Sequence, residues 1–190
     1  MPKRIPNLSE TILTQAATLF SKNGYDAVDM KQVAVEAGTS VGNLYNYFQS
    51  KPALFLAVKG LWKSNLVEAC RTILLSDLPR KERILAVLHR FYDNISNWHG
   101  LWVEFMSGRE EREHFHEVRA RSAHKQPWTL DPEEIELVGM LDALLLNQPT
   151  TEPPYRWGFL VITAALQMAT RHPSYREDNW KFLETLVDKI

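Results

Sequence analysis

The sequence predicts an all-α protein in two parts: a three-helix N-terminal head carrying a helix-turn-helix, and a larger helical body. Apolar residues recur at spacings of three and four along almost the whole chain, and no stretch alternates with period two for long enough to make a strand. Helix-start and helix-stop residues punctuate that pattern at matching intervals. With 190 residues, 45% of them hydrophobic, the chain can build one substantial core or a small module joined to a larger one. The expected division is 1–52 and 53–190.

The first helix is expected to start at Asn7, with Glu10 three positions later completing a capping box, and to bury Ile12, Leu13, Ala16, Ala17 and Phe20 before stopping at Asn23-Gly24. A second, short helix repeats the capping box with Asp29 and Gln32. Its apolar face is Met30, Val33, Ala34 and Ala37, and Gly38 ends it. Ser40 then caps a third helix whose Leu44 and Phe48 face inward, leaving Val41, Gly42, Asn43, Tyr45, Asn46 and Tyr47 outward. Ser50-Lys51-Pro52 opens a long helix striped by Leu54, Phe55, Val58, Leu61, Trp62, Leu66 and Ala69, the proline being tolerated in the first turn.

After Leu78-Pro79 the helical pattern runs from Arg80 to Trp98, breaks at Gly100, and resumes as a short apolar piece, Leu101 to Met106, then as a charged helix, Arg109 to His124. Glu133 to Leu146 reads as helix and Asn147 to Pro154 as a proline-rich loop. Tyr155 to Arg171 is apolar nearly all round, which implies a covered surface on both sides. The last helix, about Tyr175 to Ile190, spaces Trp180, Leu183, Val187 and Ile190 as a helix-helix seam. That seam fits a dimer contact, and the same periodicity also fits two helices completing a monomeric core.

Composition narrows the functions open to the chain. No window approaches the roughly 18 apolar residues of a membrane span, and no apolar segment follows Lys3 and Arg4, so a soluble cytoplasmic protein without membrane contact is expected. Cys70 is the only cysteine, which leaves no intrachain disulfide, and its apolar helical setting predicts an inert buried thiol. The formal net charge of -1 is unevenly shared. Residues 1–63 hold seven Lys and Arg against four acids, and the remainder 15 against 19, the sign expected of a nucleic-acid-binding head on an acidic body.

Two short helices joined by a glycine turn form a helix-turn-helix, whose second helix enters the major groove of DNA. The stretch from Ile12 to Phe55 goes further and resembles the N-terminal domain of the TetR family. The resemblance is carried by Ala16, Ala17 and Phe20, by Gly24-Tyr25, Val33-Ala34 and Ala37-Gly38, and by Ser40, Gly42, Leu44-Tyr45, Phe48, Ser50-Lys51 and Leu54. Thr39, Ser40, Val41, Gly42, Asn43, Tyr45, Asn46, Tyr47 and Lys51 are the expected DNA contacts. Gly42 lets the backbone approach the groove, the Tyr45 and Tyr47 hydroxyls reach phosphate oxygens, and Lys51 adds a cation at a helix start. Asp29 stands where the family usually has Ser or Thr, and Val41 where Lys is frequent. Val41 can touch a thymine methyl but cannot read guanine.

Beyond about residue 60 the resemblance implies architecture only: a helical body that binds a small molecule and dimerises through its last two helices. Trp62, Phe91, Trp98, Trp102, Phe105, Met106, Met140 and Phe159 are the expected lining of a pocket for a hydrophobic or aromatic ligand. Glu104 or Asp142, turned inward, would suit a cationic one. The reading is thus a homodimeric regulator of transcription, a repressor released from a palindromic double-stranded operator by a small-molecule effector. The alternative is a helix-turn-helix protein that acts architecturally or under a protein partner, without a small molecule. No cofactor, metal or catalytic residue is expected. His114 and His116 lie two apart, on opposite sides of a helix, and neither a phosphate-binding glycine loop nor a nucleophile motif is present.

Overall fold

In the computed structural model, residues 7–97, 132–148 and 155–190 are described. They form helices without a strand: α1 Leu8–Asn23, α2 Met30–Glu36, α3 Val41–Tyr47, α4 Lys51–Leu74, α5 Arg80–Asn97, α6 Pro132–Leu146, α7 Arg156–Arg171 and α8 Arg176–Lys189, with a short 3-10 turn at Pro173–Tyr175. The expected helices at 101–106 and 109–124, the His114 and His116 they carry, and Glu104 lie outside the described residues. Two compact units divide between Trp62 and Lys63, inside α4, rather than at 52/53.

The physical reason for the later boundary is the head's core. Leu54, Phe55 and Val58 of α4 are buried with Ile12, Ala16 and Phe20 of α1 and with Tyr25. Phe20, Tyr25 and Phe55 meet as an aromatic cluster with ring centroids 4.7 to 5.9 Å apart, so the first turns of α4 belong to the head. The stripe expected of α4 holds except at Leu61, which is exposed. The capping box expected at Asn7 is absent. Asn7 sits in the left-handed region (φ 56°) and makes no side-chain cap; its amide donates instead to the Glu10 carboxylate at 3.3 Å.

In the body, α5 and α7 pack together, with α6 and α8 against them. The α6–α7 contact is unusually close. A Cβ on Gly158 would lie 2.4 Å from the Val138 carbonyl oxygen, so only glycine lets the two backbones approach this far. Asp142 of α6, 3% exposed, reaches across to accept from the Trp157 and Gly158 amides at 2.8 Å each. Its carboxylate thereby satisfies the orphan donors at the start of α7 and meets the positive end of that helix's dipole.

On the other side of α5, the Asn179 amide of α8 donates to the buried Tyr92 hydroxyl and to the His172 carbonyl, both at 2.9 Å. Arg176 pairs with Asp93 at 2.6 Å, and the His89 ring stacks on Trp180. Burial against that ring lowers the His89 pKa, with Asp93 opposing the shift.

Candidate nucleic-acid interface

The outward face of α3 is set by the turns on either side of it. At the start of α2 the capping box is complete: Gln32 N–H donates to Asp29 Oδ1 at 2.8 Å and Asp29 N–H to Gln32 Oε1 at 2.9 Å. At its end, Gly38 takes φ 66°, its N–H reaches the Val35 carbonyl, and the Thr39 N–H reaches the Ala34 carbonyl. This pair of bonds closes a helix with a left-handed glycine, a conformation that costs any residue with a Cβ about 1 kcal/mol or more. Two residues later Ser40 Oγ accepts from the Asn43 N–H at 3.1 Å and starts α3.

Leu44 is the anchor of α3, fully buried, while Phe48 is half-buried. Tyr45 and Tyr47 are 45% and 49% exposed, so neither ring covers the core, and Gly42 and Asn46 are exposed beside them. Val41 is half-buried at the first position. The Asn43 amide donates to the Thr39 hydroxyl at 2.9 Å, which ties these two expected contacts to each other. Lys51 is also held from within: its ammonium donates to the Asp26 carbonyl at 3.3 Å and lies 4.3 Å from the centre of the Tyr25 ring. A cation is therefore fixed beside the start of α4, where Ser50 Oγ accepts from the Ala53 N–H.

The residues expected to line a ligand pocket are not gathered in one place. Trp98, Trp102, Phe105 and Met106 lie outside the described residues. Trp62 and Phe91 are half-buried. Met140 lines a groove with Leu74 and Arg83, and Phe159 is 52% exposed on α7. Asp142 is no ligand carboxylate either, because both its bonds go to the start of α7.

The expected dimer seam also turns inward. Leu183 and Val187 are buried in the chain's own body and Trp180, half-buried, stacks on His89 of α5, which leaves Trp180 and Ile190 partly exposed. The apolar side chains that these helices present outward are Trp157, Phe159 and Leu160 on α7 and Phe182 on α8. The signal for them was the apolar character of α7 all round. Among the described residues no cluster of His, Cys, Asp and Glu could hold a metal ion, and no helix is long and apolar enough to cross a membrane.

Residues 12–58 match the family model described as bacterial regulatory proteins, tetR family. The chain is 35% identical over 86 residues to the HTH-type transcriptional activator FasR of Mycolicibacterium smegmatis, a match covering 45% of this chain and 39% of FasR. It thus spans about two fifths of the length of that relative. Its fold is similar to that of a TetR-like transcriptional regulator from Rhodococcus sp. RHA1, with a TM-score of 0.61 and 20% identity over 97% of this chain and 96% of the other. It is similar also to the regulator FadR from Bacillus subtilis in complex with stearoyl-CoA, with a TM-score of 0.57 and 16% identity over 95% and 96% of the two chains.

Proposed function

The N-terminal domain of this chain belongs to the TetR family of bacterial regulatory proteins, and from that premise we propose that the protein is a dimeric transcriptional repressor. Two copies of α3 bind a palindromic operator, and a small apolar effector in the body releases them. The observation that carries this reading is the outward face of α3. Gly42, Tyr45, Asn46 and Tyr47 are exposed, and a Cβ at Gly42 would meet nothing within 4 Å, so nothing in the chain's own packing demands these residues.

Each has a role at DNA. The tyrosine hydroxyls and the Lys51 ammonium bind phosphate oxygens, the Val41 methyls meet a thymine methyl, and the Asn46 amide offers the donor and acceptor that pair with adenine. A dimer sets two such helices about 34 to 36 Å apart, one turn of the double helix. The apolar side chains that α7 and α8 turn outward, Trp157, Leu160 and Phe182, are the surface a second copy covers.

Effector control needs only a difference in affinity between two conformations; about 1.4 kcal/mol moves operator occupancy tenfold. That a neighbour of the same fold was solved with stearoyl-CoA supports testing long-chain acyl-CoAs first.

Selection of bound DNA from a random pool tests the reading. A palindrome with half-sites one helical turn apart is expected, and an absence of enrichment overturns it. Tyr45→Phe combined with Lys51→Ala should weaken binding to every DNA sequence and flatten its salt dependence by about one counterion. Because Lys51 also braces Tyr25, the melting temperature of this variant is measured alongside, and unchanged affinity refutes the phosphate contacts.

A further inference from the structure

A groove of about 460 Å³ lies where the C-termini of α4 and α6 meet the N-terminus of α5. Leu74, Met140, Ala143 and Leu144 form one part of its lining, Asn147 and Gln148 add two amides at the end of α6, and two guanidinium groups, Arg80 and Arg83, stand among them. Both arginines are turned toward helix ends. Arg80 donates to the carbonyl oxygens of Leu144 and Leu145, and Arg83 Nη1 donates to that of Leu74 at 2.9 Å. Neither pairs with a carboxylate among the described residues, and the Arg83 Nε–H is buried without an acceptor among them.

The groove's own lining holds two guanidinium groups and no carboxylate. Against them stand about half a negative charge at each carbonyl end of α4 and α6 and about half a positive one at the start of α5, so the lining carries positive charge in excess. A buried N–H without a partner is costly and favours any acceptor that can reach it. Positive charge in excess, spare donors and a hydrocarbon wall in one cleft of ligand size are the complement of an amphipathic anion.

We propose that this groove is a binding site for an amphipathic anion, an alkyl chain laid on Leu74, Met140 and Leu144 with its carboxylate or phosphate head on Arg80 and Arg83. The site is independent of α3 and of the regulatory reading, since every residue that forms it belongs to the body.

The experiment follows the methyl resonance of Met140 in the full chain labelled with methyl-¹³C methionine, assigned with Met140→Leu. Octanoate, 1-octanol and inorganic phosphate are the probes. Octanoate is expected to shift Met140 saturably, and the neutral alcohol to bind about tenfold more weakly for want of charge-assisted bonds. Ala143→Trp, which fills the groove and keeps both arginines, should abolish the shift. A Met140 signal unmoved by octanoate, equal affinity for 1-octanol, or a response to phosphate as strong as that to octanoate overturns the proposal. The comparison of probes on the unaltered chain stands even where a variant fails to fold, and no DNA enters the measurement.

Discussion

Replacing Gly42 by alanine separates a residue kept for folding from one kept for an external contact. Gly42 is the second residue of α3, and an added Cβ finds no heavy atom within 4 Å. Inside the chain the substitution therefore only removes backbone freedom from the unfolded state, and stability should rise by about 0.5 to 1 kcal/mol. At the DNA the same methyl intrudes where the backbone is to approach most closely. A forced gap of this kind costs about 1 to 2 kcal/mol, or roughly a tenfold or greater loss of affinity. Urea unfolding at fixed protein concentration measures the first effect, and fluorescence anisotropy with the selected operator measures the second. A variant that is stabilised and binds poorly supports the assignment of this face. If Gly42→Ala binds as tightly as the parent chain, α3 does not meet DNA through this face; a stability loss beyond 1 kcal/mol would show that the glycine serves the head's own packing.

Other substitutions address the body. Asp142→Ala leaves two amides at the start of α7 without their acceptor and should cost about 2 to 4 kcal/mol, and Asp142→Asn, which keeps an oxygen, about half as much; equal losses in urea unfolding would remove the role assigned to the charge. Burial pushes the Cys70 thiol from the ordinary 9.0 up to about 12, against the opposing effect of Arg90. The folded chain thus holds a proton that the unfolded chain releases between these values. This contribution to stability is complete below pH 9 and declines by up to about 1.4 kcal/mol per pH unit above it, read as the difference between the parent chain and Cys70→Ala. Iodoacetamide at pH 8 should accordingly label Cys70 only after unfolding, and rapid labelling of the native protein would contradict its burial. Leu160→Glu with Phe182→Glu should convert the proposed dimer to a helical monomer in sedimentation, and a persisting dimer places the interface elsewhere.

What could be read in the sequence was the chemistry that acts over three or four residues. Asp29 with Gln32, Ser40 with Asn43, and the glycine at 38 are local devices, and each does in the structure what its spacing implies. Asn7 shows the limit of that reasoning, since the Asn-Glu spacing is present while the backbone takes a left-handed turn that aims the amide at the carboxylate.

Partners distant in the chain were out of reach. Asp142 resembles any helical carboxylate until α7 is folded against it, the two amides that donate to it being 15 and 16 residues away. The stripe of Leu183 and Val187 was visible as a stripe, but periodicity says only that a face is covered. The same pattern serves a seam between copies or, as here, a core within one.

The turns around α3 have a consequence for how such a head could change. Asp29, Gln32, Gly38, Ser40 and Leu44 hold the two helices in place, and none of them belongs to the exposed set at positions 42, 45, 46 and 47. Folding and recognition are written in different letters of the same nineteen-residue passage, Asp29 to Tyr47. A library randomised at the exposed positions alone would sample new DNA preferences on an unaltered scaffold, which makes this head a candidate for re-specification by selection.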